Sequence, residues 1–295
     1  MGKLLRLRGV TITDSSAPKL ITRDRIESAG SLFLFDGNHQ FGAFAGLPAQ
    51  NAAIPNVLAN KAAALLGVAE SAVGLVVGGG TVNSAYWKSE RTTKGGVHGI
   101  ITQAGGQIGN PQYRIKAATA IRDYVLANPT HKYYASIWSR ITRQSLATSS
   151  QSPMHFIGAT TANMLFNFES GLPSPLNGAT LLGRKPDPVI GDLPAQPLAA
   201  PYNRFGSIGV QGVVGTGPGA GTDINLLVGT DGAWAGGMVN KAPSRIIYRG
   251  YMEDLTASGR DYAEVEAIDY AMFLEAFGVG GKFYGDTYTS PATLP

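Results

Sequence analysis

The sequence predicts a mainly β chain, a β-sandwich or jelly roll with two or three peripheral helices and extended termini. Three observations carry this. Short apolar runs with alternating character recur along the chain, glycine and proline turns separate them, and glycine reaches 39 of 295 residues. Sheets that each bury one face have to pack on another layer, and a second sheet supplies it. The length suffices for a sizeable core without covalent staples. The reading divides the chain into an arm over residues 1–29, a single domain over 30–278 with helical insertions, and a tail over 279–295.

In chain order, the arm alternates loosely and carries Lys3, Arg6, Arg8, Lys19, Arg23 and Arg25 against three acids. SLFLFD (31–36) is a strand, followed by an extended excursion rich in small residues, Gly and Pro. NVLANKAAALL (56–66) predicts a helix closed by Gly67 as its C-cap. The stretch 62–80 suits a helix end, a turn and a short strand better than a membrane helix, because Glu70 and five glycines interrupt it. A second helix is predicted from Asn110 as cap and Pro111 at the first position to the stop at Asn128-Pro129, with Ile115, Ala118, Ile121, Tyr124 and Val125 on one face.

The period then changes to two. HKYYASIWSRIT (131–142) places Tyr133, Ala135, Ile137, Ser139 and Ile141 on one face, read as core, and Tyr134, Ser136, Trp138, Arg140 and Thr142 on the other. Further strands are predicted in MHFIGAT, NMLFNFE, FGSIGVQGVVG, TDINLLVG and SRIIYRGYME, with a proline-rich connection at 183–201. The closing helix has Asp261 as N-cap with Glu264 three residues on, the capping-box spacing. Its apolar stripe is Val265, Ile268, Met272, Phe273 and Phe277, and Gly278 ends it. Asp261, Glu264, Ile268 and Phe273 are thus read as structural. Glu266 and Asp269 are read as lying opposite the stripe, toward solvent or a basic partner.

Several chemistries find little support. The chain has no cysteine, which excludes disulfides and thiolate metal sites. Charged residues are 15% of the chain, against roughly 25% in an average soluble protein. A surface so short of charge is paved with small polar residues or covered by other subunits. The net charge of +4 is small and its basic residues scattered, so no nucleic-acid partner is expected. The opening MGKLLRLRGVTITD lacks the apolar run of a signal peptide, and no membrane span is expected. GVVGTGPGAGTD (212–223) lacks the lysine of a phosphate loop. His39, His98, His131 and His155 are isolated and read as loop residues or hydrogen-bonders. Asp36, Asp187, Asp223 and Asp231 could ligate calcium but form no dense acidic loop, so no metal or other cofactor is assigned. No GxSxG elbow occurs, and no catalytic residues are assigned.

The run SRIIYRGYMEDLTASGRDYAEVEAIDYAMF (244–273) resembles the closing strand, turn and short helix of concanavalin-like and laminin-G-like sandwiches, through Ile246 to Tyr251, Leu255, Tyr262, Ala263 and Glu264. KYYASIWSRIT looks like an inner strand of the same class. With its low charge and high glycine, the chain resembles structural proteins of tailed-bacteriophage virions. That resemblance implies a non-enzymatic structural subunit in a tail, baseplate or capsid-associated position, assembled in the host cytoplasm and contacting copies of itself and other virion proteins. The arm and tail are then expected on adjacent subunits. A carbohydrate- or receptor-binding module, meeting a host glycan, is the alternative, and a glycan hydrolase a third. The interface or glycan-contact candidates are Arg6, Arg8, Tyr134, Trp138, Glu266, Asp269, Tyr284 and Tyr288.

Overall fold

The computed structural model of the chain describes residues 24–78, 85–103, 112–128, 130–143, 154–157, 166–168, 202–210, 223–229 and 244–294. Its strands are β1 (Ser31–Asp36), β2 (Ala53–Ile54), β3 (Leu75–Gly78), β4 (Trp87–Arg91), β5 (Val97–Ile101), β6 (Gln112–Ala117), β7 (Lys132–Arg143), β8 (Met154–Ile157), β9 (Phe166–Phe168), β10 (Tyr202–Val210), β11 (Asp223–Gly229) and β12 (Ser244–Asp254). Its helices are α1 (Ala59–Leu66), α2 (Thr119–Ala127), α3 (Leu255–Ser258) and α4 (Tyr262–Phe277). The fold combines these four helices with two six-stranded sheets, one curled into a half-barrel. The first sheet runs β10-β7-β12-β5-β4, with β1 also on β12; the second runs β2-β3-β6-β11-β8-β9. The pairings are antiparallel.

The two sheets share one apolar core. Phe33, Phe35, Trp87, Val97, Ile101, Tyr133, Ala135, Ile137, Ile247 and Met252 from the first meet Leu75, Val77, Tyr113, Ile115, Ile224, Leu226 and Val228 from the second. α1 contributes Ala62 and Ala63, and α2 contributes Ile121 and Val125. Two glycines allow the sheets to approach. A Cβ on Gly99 would stand 2.7 Å from the Trp87 ring and 2.8 Å from Val228, and one on Gly250 would stand 2.5 Å from Leu226. Gly99→Val is therefore expected to destabilise the protein by roughly 1–3 kcal/mol through overpacking. Thermal or urea unfolding checks this, and an unchanged midpoint would mean that the sheets part there without cost.

The helix expected over Asn110 to Asn128 is corrected. Residues 110 and 111 lie outside the described residues, but QYRIKA is strand β6, and helix begins only at Thr119. Tyr113, Ile115 and Ala117 are buried while Arg114 and Lys116 are half-buried, a period of two that the helix-start signals Asn-Pro masked. The other expected strands and helices form near their places where they fall on described residues, and α3 makes four helices in place of the two or three expected. α1 ends at Gly67 with φ of 69°, the left-handed C-cap geometry that glycine favours. The proline-rich connection and nearly all of the glycine-rich segment lie outside the described residues.

β12 has all eleven residues buried. One face looks into the shared core and the other lies beneath α4 and the C-terminal segment. A register shift between Ile247 and Arg249 interrupts its pairing with β7. Such a bulge lets two consecutive side chains share a face. Tyr248 packs in the outer cluster with Phe277 and Phe283, and Arg249 sits on the same side against Trp138. After the bulge Gly250 and Met252 point into the core, while Tyr251 and Glu253 point outward.

Candidate functional site

The outer face of the first sheet gathers several of the buried ionisable and aromatic side chains among the described residues. Alternation on β7 turns Tyr134, Trp138, Arg140 and Thr142 outward, opposite its core residues. His98 lies beside Ile246, which in turn lies beside Arg140, and Glu90 pairs with His98 on the far side. The row across these four strands thereby holds three polar side chains, with Ile246 of β12 between Arg140 and His98.

At one end of the face stands a buried ion cluster. The Arg249 guanidinium is fully buried and grips both oxygens of Asp24 (Nη1 to Oδ2 2.9 Å, Nη2 to Oδ1 2.8 Å), while Nη1 also donates to Asp36 Oδ2 at 3.0 Å. Lys282, from the chain beyond α4, bonds the same Asp36 oxygen. Arg249 lies over the Trp138 ring, 4.8 Å from its centroid. Burial alone would raise the Asp24 carboxyl, but Arg249 outweighs it and holds Asp24 at about 2. Close by, Glu253 is fully buried and accepts from Ser28 (2.7 Å), Tyr251 (2.7 Å) and Arg260 Nε (2.9 Å).

At the other end a carboxylate, an imidazole and a hydroxyl stand in line. His98 Nδ1 is 2.9 Å from Glu90 Oε1, and its Nε2 is 2.9 Å from Thr142 Oγ1. A carboxylate only accepts, so Nδ1 carries the proton and Nε2 of the neutral ring accepts from Thr142. This order resembles that of an acyl-transfer triad. Its surroundings are those of a structural tie, however. His98 is fully buried, the Tyr288 ring stands edge-on to it at 5.0 Å, and Glu90 also accepts from the Thr289 amide (2.7 Å) and hydroxyl (2.5 Å). Arg140 lies 4.7 Å from the Tyr288 centroid, and Arg143 donates to the carbonyls of Pro291 (2.9 Å) and Leu294 (2.8 Å). Asp286 accepts from Thr93 Oγ1 (3.0 Å) and the Lys94 amide (2.7 Å). The C-terminal segment thus straps down on its own sheet through polar groups at nearly every step.

A third group lies at the end of β12. Asp254 is buried and accepts from His131 Nδ1 (2.6 Å), the Tyr124 hydroxyl (2.8 Å) and, at the N-terminus of α3, the Ala257 amide (2.9 Å). It joins α2, β7 and α3. Among the described residues no group of three or more His, Asp or Glu is arranged to hold a metal ion. Asp36 and Asp223 bond Arg249 and Lys116 respectively, and Asp187 and Asp231 lie outside the described residues. No helix among them is long and apolar enough to cross a membrane.

The contact candidates from the sequence fall mostly inside. Tyr134 and Trp138 are fully buried under α4, so neither is a surface for stacking on sugar or a neighbour. Asp269 is also fully buried, which corrects its placement opposite the stripe. It stands four residues after Val265 and four before Phe273, and that spacing puts all three on one helix face. It accepts from Trp138 Nε1 at 3.2 Å, and the Tyr134 hydroxyl lies between it (3.2 Å) and Glu266 (2.9 Å). Tyr288 is half-buried on the strap and Tyr284 is half-buried beyond α4. Arg6 and Arg8 lie outside the described residues. Asp261 caps α4 by accepting from the Glu264 amide at 2.8 Å. The reciprocal bond from the Glu264 carboxylate is absent among the described residues, and that side chain is exposed. Phe273 is fully buried against Trp138, and Ile268 packs partly buried beside Val265.

Sequence reasoning missed Asp24, Glu90, His98, Arg249 and Lys282 as a set. The only local signal was charge placed inside short apolar runs, as in VHGII and IIYRGY.

The polar row predicts an acid response. Burial would raise the Glu90 carboxyl, but the His98 and Thr289 hydrogen bonds outweigh it and hold Glu90 at about 2 against an ordinary 4.5. Burial lowers His98 below 6.5, with Glu90 partly offsetting it, and burial lowers His39 as well. In each case the unfolded chain takes the proton first, so stability falls with falling pH. Loss begins below 6.5 through the histidines and continues from 4.5 toward about 2 through Glu90 and Asp24. Urea midpoints at pH 7, 5.5, 4 and 3 should fall stepwise, and His98→Gln should flatten the first part of the fall. A parent midpoint that stays constant from pH 7 to pH 5 would contradict this.

Comparison with known proteins returned no matching family model, no matching curated protein and no matching solved structure.

Proposed function

We propose that the chain is a non-enzymatic structural subunit of a tailed-phage virion, in a tail, baseplate or capsid-associated position. It is built on a jelly-roll sandwich of the concanavalin-like class and acts through contacts with copies of itself and with other virion proteins. The observation that carries this reading is the strapped outer face of the first sheet. Its carboxylates, imidazole and hydroxyl hold α4 and the C-terminal segment onto the body, in the manner of a rigid building block. Low charge and high glycine support it, since a surface poor in strongly hydrated groups costs less to bury between subunits.

Mass spectrometry and electron microscopy of particles purified from the native host test the reading. The expected result is the chain in fixed copy number at a symmetric position. Its recovery only as free protein, with none in particles, would overturn the proposal. A panel of polysaccharides and esters forms the second arm, and no turnover is expected from the purified chain. Turnover abolished by Thr142→Val or His98→Gln in a protein that still folds would make the Glu90, His98 and Thr142 line catalytic instead.

A further inference from the structure

On the side away from the sheet α4 carries small and apolar residues interspersed with Glu264, Tyr270 and Glu275. Val265, Phe273, Ala276 and Phe277 are buried, whereas Ala263, Ala267, Ala271 and Leu274 are exposed, Leu274 to 38%, with Val279 just beyond the helix at 74%. An exposed helix face with this much small and apolar surface between its acids is a candidate for cover by another segment. The charge on α4 is one-sided. Its charged residues are Glu264, Glu266, Asp269 and Glu275, with no lysine or arginine, and of these Glu264 and Glu275 are exposed.

The chain's own N-terminal arm has the matching chemistry. Residues 1–23 carry Lys3, Arg6, Arg8, Lys19 and Arg23 against the single acid Asp14, and Leu4, Leu5, Leu7, Val10 and Ile12 are interleaved with Arg6 and Arg8. The described chain begins beside this helix. Arg25 Nη2 pairs with Glu275 Oε2 at 2.7 Å, and Ile26 is buried in one cluster with Val265. The exposed stripe from Ala263 to Leu274 is about 17 Å long at 1.5 Å per helical residue, a span that about five or six extended residues cover at roughly 3.3 Å each. The 23 residues before Asp24 exceed that several-fold.

We propose that the arm of each chain docks on the outer face of its own α4, laying apolar side chains on Ala267, Ala271 and Leu274 and arginines toward Glu264 and Glu275. A second copy of α4 is a poorer occupant, because it would bring like charges together. An arm from a neighbouring copy shares the chemistry but lacks the tether, which raises the local concentration of the attached arm into the millimolar range. This inference is independent of the virion reading.

The absence of cysteine makes the test direct. In the full-length chain, pairs of cysteines are introduced one at a time, with Leu5→Cys, Leu7→Cys or Ile12→Cys in the arm and Ala267→Cys or Leu274→Cys on α4. Mild oxidation is followed on non-reducing gels, and Ser71→Cys, exposed on the turn Glu70–Val73 before β3, replaces the helix cysteine as control. At least one arm and α4 pair should close within a single chain about tenfold faster than its control, as effective concentration requires. Adding Arg6→Glu and Arg8→Glu should remove that advantage. Disulfides only between chains would assign the face to a neighbour's arm and overturn the proposal. Equal rates for α4 and control pairs would also overturn it.

Discussion

Replacing Arg249 with methionine should destabilise the protein by roughly 3–5 kcal/mol, because it leaves Asp24 and Asp36 buried without their shared cation. Arg249 makes three of the bonds that hold these carboxylates, and Asp36 is fully buried. Urea unfolding at neutral pH reads the loss as a lower midpoint with the slope unchanged. Adding Asp24→Asn and Asp36→Asn should recover much of it, since removing both signs of charge removes the uncompensated burial. Lys282, part-exposed at 29%, can then turn its ammonium to water. A single Arg249→Met protein as stable as the parent would show that the carboxylates reach solvent without it.

Phe273→Ala should cost about 3–5 kcal/mol, the range for deleting a buried ring. Phe273 stands 5.7 Å from Trp138 in an edge contact and 4.9 Å from Phe277, within the cluster that joins α4 to β7 and β12. Asp269→Ala should follow at roughly 1–3 kcal/mol, because the buried Trp138 N–H then loses its acceptor. This second figure contrasts with the sequence reading, which turns Asp269 toward solvent or a basic partner. Paired denaturation curves decide both. A Phe273→Ala midpoint equal to the parent's would mean that α4 does not seal the outer face.

Legibility followed the reach of the signals. The strand KYYASIWSRIT showed its two faces because its alternation is unbroken, and α4 showed its cap and most of its stripe because those signals lie within one or two turns. QYRIKA was read as helix because Asn-Pro imitates a helix start and Ile115 happens to fall in step with Ile121 and Val125. β4 and β5 went unread, since WKSER is polar and VHGII carries a glycine that only the second sheet explains. The ion cluster was beyond any local reading. Arg249 meets Asp36 across 213 residues and Asp24 across 225, and a bulge shifts the phase of β12 just where Arg249 turns outward. A strand buried on both faces also gives no inside and outside to contrast.

The place of β12 in the chain has a consequence for how the protein is made. It is the last strand in sequence, yet it touches β7 on one side and both β1 and β5 on the other. During synthesis the first sheet therefore exists only as fragments: β1 alone, β4 with β5, and β7 with β10. At about 5–20 residues per second, β1 waits on the order of ten seconds or more after it is translated for its partner to emerge from the ribosome. Until then three strand edges stand open to pairing with another nascent chain. A chain that stops before Ser244 lacks the strand that joins these fragments, so a complete first sheet requires translation through Asp254.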